Sequence, residues 1–242
     1  MFTTPLISIH SLLDLFFPRA CLLCRTQTDE THHLCPDCAA ELPILSHSCQ
    51  KCAQFLHANE HAQLVCGLCL SEPPPYDKVY ALFPYQSPIP SLIIGFKFEE
   101  QFSHGRFFSH MLLQKIHEWY AGHPLPDLLI PMPLHPARLR ERGFNQAAEL
   151  TNPLASALKI PIDHSVIRQK ATLPQRTLRA RERGPNLAHA FAASQLYTGC
   201  HLAIIDDVVT TGETITALAR LLRQLGAARI DIWCCARCDS RP

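Results

Sequence analysis

Residues 203–214 read Ala-Ile-Ile-Asp-Asp-Val-Val-Thr-Thr-Gly-Glu-Thr, and this stretch decides the fold. The apolar residues 202–205 predict a buried strand. Apolar positions then recur every three or four residues, which predicts a helix over 211–225 with Gly226 as its C-cap. A strand that turns directly into a helix is half of a βαβ unit, so the stretch indicates a parallel sheet.

The turn between this strand and helix predicts an anion site. Residues 210–214 combine the backbone N–H groups of a helix start with threonine hydroxyls and a glycine that lets a ligand approach. Asp206 and Asp207 stand just upstream, where open α/β sheets bind ligands, and could hold a sugar diol and a divalent cation. Together they predict a ribose 5-phosphate site. The alternative is a turn capped by Thr210 and Glu213 as a capping box, which gives the two acids no role.

Strands and helices alternate along the rest of the C-terminal two-thirds. The predicted strands are 79–83, 127–132, 163–168 and 229–234, and the predicted helices are 105–120 and 144–159. This order favours a parallel sheet covered by helices on both faces. The polar segment 169–187 exceeds an ordinary connection, so we interpret it as a functional lid or a segment disordered without ligand.

Eight of the twelve cysteines form four Cys-x2-Cys pairs: Cys21/Cys24, Cys35/Cys38, Cys49/Cys52 and Cys66/Cys69. Two such pairs joined by a hairpin are typical of a four-thiolate zinc ribbon, and the pattern occurs twice. We therefore expect two structural zinc ions, because an all-thiolate shell leaves no open coordination position. Interleaved pairing, the first pair with the third and the second with the fourth, stays open.

Three regions follow from these patterns. Apolar residues at helical spacing predict an amphipathic helix over 1–18, the double zinc ribbon occupies 19–72, and the α/β domain spans 76–242 beyond a proline-rich linker. No apolar run is long enough to predict a membrane span. The Cys-x2-Cys arrangement suits a reducing compartment, so a cytoplasmic location is expected.

The distribution of charge is more informative than its sum. The formal net charge is only +1, which gives no global argument for a nucleic-acid partner. Residues 138–183, however, contain ten Lys and Arg against four Asp and Glu, a net of +6. A local arginine excess suits a polyanion such as pyrophosphate or a DNA backbone.

The strand, Asp-Asp and Thr-Thr-Gly-x-Thr pattern resembles the phosphoribosyl pyrophosphate (PRPP) motif of type I phosphoribosyltransferases. Residues 131–134, Pro-Met-Pro-Leu, and 142–146, Arg-Gly-Phe-Asn-Gln, narrow the resemblance when combined with the Cys-x2-Cys pairs. The whole is similar to the ComF family, which includes ComFC and GntX-type DNA utilisation proteins. The resemblance covers nearly the whole chain. It implies a type I phosphoribosyltransferase-like sheet with an N-terminal double zinc ribbon.

The resemblance also assigns roles to individual residues. Asp206 and Asp207 would hold the ribose hydroxyls as the catalytic pair, with Mg²⁺ bound alongside PRPP. The remaining PRPP contacts would come from Thr210, Thr211, Gly212, Glu213, Thr214, Pro133, Leu134, Arg138, Arg142 and Lys97. The arginines of the long polar segment, expected to contact nucleic acid, are Arg176, Arg179 and Arg183.

The implied function is PRPP binding by a protein of DNA uptake, competence or DNA utilisation that contacts single-stranded DNA. A helicase or translocase of the uptake machinery would be its partner. One alternative is a genuine phosphoribosyltransferase acting on an unknown nitrogen nucleophile, and another is a non-catalytic PRPP sensor. Two departures bear on these choices. Glu213 places a negative charge where such motifs more often have a small residue, and Thr210 stands where purine-salvage enzymes have an acid.

Overall fold

The computed structural model describes residues 20–28, 33–56, 64–169 and 190–239. The chain divides into two compact units, the first ending at Leu42 and the second beginning at Pro43. The predicted N-terminal helix over 1–18 and the predicted lid, with Arg176, Arg179 and Arg183, lie outside the described residues. The predicted boundaries of the zinc-ribbon module, 19–72, and of the α/β domain, 76–242, remain predictions. The division at Leu42 reflects how residues pack together and does not test them.

The first unit contains the first two Cys-x2-Cys pairs. Its first Cys-x2-Cys turn is closed by the Ala20–Gln27 bridge and by a hydrogen bond from the Cys21 N–H to the Thr26 carbonyl, 2.8 Å. Helix α1, Pro36–Ala40, begins with a proline, whose missing N–H has no acceptor to lose at that position. Cys35 precedes the helix and Cys38 lies within it, which places the second pair of thiols on one short helical turn.

The second unit is built on a parallel sheet, as predicted. Its strand order is β1-β6-β5-β2, with β1 Lys78–Pro84, β2 Leu128–Pro131, β5 His201–Val209 and β6 Arg229–Arg237. The central strands β5 and β6 are largely buried, which explains their near-continuous apolar sequence. Both run past their predicted ends, and the pairing of Asp206 with Cys234 places the acids inside the sheet. A separate antiparallel pair joins β3, Ile167–Arg168, to β4, Phe191–Ala192, so only the end of the strand predicted over 163–168 forms.

Six helices of the second unit fall within the described residues: α2 Gly67–Ser71, α3 Ile89–Phe98, α4 Phe102–Trp119, α5 Pro136–Arg142, α6 Gln146–Leu158 and α7 Glu213–Gln224. The helices predicted over 105–120, 144–159 and 211–225 correspond to α4, α6 and α7. Helices α3 and α5 were not predicted. Gly95 of α3 is required by close packing on α4, since a Cβ there would lie 2.7 Å from Cε1 of His104. In the part of the chain described, no helix has the length and apolar character needed to cross a membrane.

The second zinc ribbon shares its core with the sheet. Its four cysteines belong to the same buried cluster as Ile204 of β5, Ile232 of β6 and Leu218 of α7. The ribbon also continues the backbone pairing, because the N–H of Val79 donates to the carbonyl of Lys51 at 2.8 Å. The ribbon and α7 therefore cover the sheet together through one apolar layer.

A buried polar cluster lies at the amino ends of the parallel strands. Asp231, near the start of β6, is fully buried and accepts from the Tyr120 hydroxyl at 2.6 Å and from Nε2 of His201 at 2.8 Å. Arg229 Nη2 lies 3.0 Å from the same carboxylate oxygen. Burial by itself would raise the pKa of Asp231, but these hydrogen bonds and the Arg229 charge hold it below its ordinary value.

Candidate functional site

The eight paired cysteines form two separate four-thiol sets. Sequential pairing is confirmed, since within each set the Sγ atoms all lie within 4.8 Å of one another. The Cys24–Cys35 and Cys52–Cys66 sulfurs are 3.6 and 3.7 Å apart. A tetrahedron with Zn–S bonds of about 2.3 Å has sulfur–sulfur edges of about 3.8 Å, so both sets fit zinc. The sets are Cys21, Cys24, Cys35 and Cys38 in the first unit, and Cys49, Cys52, Cys66 and Cys69 in the second.

The paired acids of β5 meet a lysine from a helix far away in sequence. Lys97, near the end of α3, places its Nζ 2.8 Å from Oδ2 of Asp207, and these side chains are only 20% and 9% exposed. Burial would lower the pKa of Lys97, but the charges of Asp207 and Asp206 raise it above its ordinary value. The structure therefore brings together three residues that the resemblance had assigned to one site.

Asp206 is the acid of this cluster whose ionisation is disfavoured. Burial and the neighbouring Asp207 charge raise the pKa of Asp206, and Lys97 offsets only part of that effect. The N–H of Asp207 donates to Oδ1 of Asp206 at 2.9 Å, which fixes the position of this carboxylate. Two adjacent carboxylates with a single lysine fit a divalent cation with oxygen ligands, such as Mg²⁺, which would relieve the remaining repulsion.

The turn after β5 has a different geometry from a capping box. Gly212 is the N-cap of α7 in the left-handed region, with φ of 84°, and no side chain caps the helix. The capping-box alternative between Thr210 and Glu213 is therefore wrong, and the N–H of Glu213 instead approaches Oγ1 of Thr211 at 3.4 Å. Thr210 and Thr211 are exposed. The first turn of α7 thus presents backbone donors and hydroxyls at the edge that holds the acids.

The Arg-Gly-Phe-Asn-Gln segment, residues 142–146, connects α5 to α6. Asn145 caps α6 by accepting from the N–H of Ala147 at 3.0 Å, and its amide donates to the carbonyl of Met132 at 3.1 Å. The ring of Phe144 packs 5.8 Å from that of Phe96 on α3. The segment therefore fixes residues 131–134 relative to the helix that carries Lys97.

The two predicted arginines after this loop differ in their surroundings. Arg142 donates from Nη1 to Oε1 of Gln146 at 3.0 Å and stacks 5.1 Å from the ring centroid of Phe98. Its buried Nε has no hydrogen-bond partner among the described residues, and this donor lies beside the lysine–aspartate pair. Arg138 is solvent-exposed and pairs with Glu141 at 3.0 Å. Arg142 is thus part of the cluster, while Arg138 lies at its rim.

Pro133 and Leu134 line a cavity of about 210 Å³ together with Arg168. Arg168 was assigned no role from the sequence. It lies on β3 with its guanidinium 5.6 Å from the Phe191 ring, and burial lowers its pKa while the charge of Asp206 opposes that shift. A basic residue at the end of the strand predicted over 163–168 was the available signal, since carboxyl ends of strands meet at the ligand edge.

Comparison with known proteins identifies the family. Residues 12–70 match the double zinc ribbon domain, and residues 144–241 match the phosphoribosyl transferase domain. The DNA utilization protein YhgH of Salmonella typhi is 37% identical over 91% of this chain and 97% of its own length. The chain belongs to the ComF family. Another ComF-type relative, Competence protein F of Haemophilus influenzae, is 34% identical over 92% of this chain and 98% of its own length.

A third relative matches a smaller share of the chain. The adenine phosphoribosyltransferase of Rhodospirillum rubrum is 33% identical over 113 residues, which are 46% of this chain and 58% of that protein. The two domain matches leave residues 71–143 of this ComF chain uncovered. Lys97, Pro133, Leu134, Arg138 and Arg142 lie in that interval, so their assignment depends on the geometry described above.

Proposed function

We propose that this ComF-family protein binds PRPP with Mg²⁺ at the carboxyl edge of its sheet and serves in DNA uptake or DNA utilisation. The observation that carries the proposal is the cluster of the half-buried Lys97 and Asp206 with the buried Asp207, beside the turn at Gly212. Its charges suit a sugar diol and a cation, and the turn suits a phosphate. Mg²⁺ would supply charge neutralisation on the pyrophosphate.

Each part of the cluster receives one part of the ligand. Asp206 and Asp207 accept from the ribose hydroxyls, and residues 210–214 hold the 5-phosphate through backbone and hydroxyl donors. The pyrophosphate lies toward Pro133 and Leu134, with the half-buried Arg142 donating from its guanidinium. Lys97 pairs with Asp207 and orients its carboxylate toward the diol.

We extend the proposal to DNA because of the names of the relatives and the basic segment. Arg176, Arg179 and Arg183 would contact single-stranded DNA as it enters the cytoplasm beside a helicase or translocase. Such contacts are mostly electrostatic, so affinity for an oligonucleotide should fall steeply with salt. Replacing the three arginines by glutamine should reduce the slope of log affinity against log salt by about 2. An unchanged slope would argue against DNA contact through this segment.

A second candidate is transfer of ribose 5-phosphate to a nitrogen nucleophile, with pyrophosphate leaving. The observation that favours it is the similarity of 46% of the chain to an adenine phosphoribosyltransferase. Pyrophosphate release that requires both PRPP and a nucleobase would establish it. Tight PRPP binding with no such release for any base would favour a sensor.

Calorimetric titration with PRPP and Mg²⁺ tests the binding proposal. We expect saturable binding by the wild-type protein and none by the Asp206→Asn/Asp207→Asn double variant. Asp77→Asn serves as the matched control, because Asp77 pairs with Arg223 at the amino ends of the strands, away from the proposed site. A folded, zinc-loaded wild type that does not bind PRPP would refute the proposal.

A further inference from the structure

Arg237 joins the second zinc set to the proposed phosphate-binding turn. It ends β6 and is only 5% exposed. Its Nε donates to the carbonyl of Cys52 at 2.9 Å, and its Nη1 donates to the carbonyls of Val209 at 3.0 Å and of Thr210. Cys52 belongs to the metal set, and Thr210 is the first residue of the turn. One side chain therefore spans the distance between the two sites.

We propose that Arg237 is a positioning residue through which metal binding at Cys49, Cys52, Cys66 and Cys69 orders the turn at 210–214. The inference rests on the proposed function only for the identity of the ligand. The coupling itself concerns the protein's own backbone and holds whether or not the ligand is PRPP.

The geometry gives the coupling its physical basis. A planar guanidinium donates in fixed directions, so carbonyls bound to it hold their positions relative to one another. Metal binding fixes the backbone of its ligands, because four metal–sulfur bonds hold the two ligand turns together and an empty set lacks that restraint. The carbonyl of Cys52 is therefore fixed when the set is loaded, and Arg237 transmits that position to Thr210.

Tyr76 provides a second link between the ribbon side of the molecule and the turn. Tyr76 follows the ribbon and belongs to the same buried cluster as the four thiols. Its hydroxyl lies 3.9 Å from the position that a Cβ on Gly212 would occupy. The turn is thus bounded by the ribbon side of the molecule at two of its residues, Thr210 and Gly212.

The chain provides a matched control at the amino ends of the strands. Arg223 also binds several carbonyls, donating to those of Pro75 at 2.9 Å and of Ala227 at 2.9 Å. It pairs with Asp77 as well. Replacing Arg223 by lysine removes a comparable set of bonds without touching the turn at 210–214.

Hydrogen exchange on zinc-loaded protein tests the proposal without any ligand. In Arg237→Lys, with both zinc ions retained, we expect amides of 209–214 to exchange about tenfold faster than in the wild type. Amides of β2 should keep their rates, and Arg223→Lys should leave the turn unchanged. Equal exchange in the turn of folded Arg237→Lys and wild-type protein would overturn the proposal.

A metal titration covers the case in which Arg237→Lys does not fold. In a Cys38→Ser background the second set holds the remaining zinc, so chelation reports on that set. Loss of this zinc should raise exchange at 209–214 before it raises exchange in β2. Zinc loss with no rise, or with a uniform rise across the sheet, would contradict the coupling. Failure of the wild type to bind PRPP would refute the proposed function and leave this result standing.

Discussion

Lys97 on α3 and Asp207 on β5 form a largely buried ion pair, with Nζ and Oδ2 2.8 Å apart. The two residues are far apart in sequence, and no local pattern in either element predicts that they meet. Helix α3, which carries Lys97, is held against α4 by close packing at Gly95. The proposed diol site is thus held by tertiary contacts, and its parts can be tested separately.

The first prediction concerns this ion pair. Lys97→Gln should reduce the free energy of unfolding by about 2–4 kcal/mol, because it leaves the Asp207 carboxylate buried without its partner. Urea unfolding of zinc-loaded protein measures the change. Lys115→Gln breaks an exposed pair with Glu118 and should cost less than about 0.5 kcal/mol. Equal effects of the two substitutions would contradict the role given to Lys97.

The second prediction follows from the raised pKa of Asp206. Its folded-state pKa lies above the unfolded one, so the wild type loses stability as the pH rises through the raised value. Asp206→Asn removes that loss and should stabilise the ligand-free protein by about 1 kcal/mol at pH values above the raised pKa of Asp206. The same substitution should abolish PRPP binding. Thermal unfolding across pH measures it, with the exposed Glu141→Gln as control. A variant that is less stable than wild type at every pH would refute the prediction.

The third prediction has the opposite sign. The pKa of Asp231 is lowered in the folded state, so this carboxylate stabilises the protein above its unfolded pKa. That contribution is lost as the pH falls through the folded value. Asp231→Asn should cost about 2–3 kcal/mol at neutral pH and remove this part of the acid dependence. Urea unfolding at several pH values measures both, and Asp127→Asn, an exposed acid at the same edge, should retain the wild-type dependence.

The fourth prediction concerns the turn glycine. Gly212→Ala should cost about 1 kcal/mol of stability, because φ of 84° is unfavourable for a residue with a Cβ. The added carbon would also stand where a phosphate must approach the backbone, so PRPP affinity should fall at least about tenfold. Gly122→Ala carries the same backbone penalty at φ of 76° in open space. That control should keep full affinity, and a shared loss of affinity would argue against the turn as the phosphate site.

Local patterns predicted the local parts of this molecule. The run at 203–214 identified a strand, two acids and a helix start, because these features are encoded within a dozen residues. The capping box was wrong for a reason that is also local. Gly212 turns into the left-handed region at the N-cap, so Thr210 stands too far before the helix to cap it.

The parts that sequence reasoning missed depend on contacts between distant segments. Helix α3 is apolar on most of its surface and begins among prolines, so it shows no periodic stripe to distinguish it from a strand. Arg168 and Arg237 look like strand-end arginines until the sheet brings Asp206 and Cys52 beside them. No spacing rule connects these residues, since their proximity is a product of the folded topology.

The shared core between the second ribbon and the sheet bears on how the protein can be divided. The proline run at 73–75 looks like a place to cut, and the remaining chain would keep every strand. Such a fragment would lose the four cysteines that line one face of the apolar layer. It would expose that apolar face to water, and exposed apolar patches of this kind promote aggregation. The phosphoribosyltransferase-like part should therefore be produced with its ribbon attached.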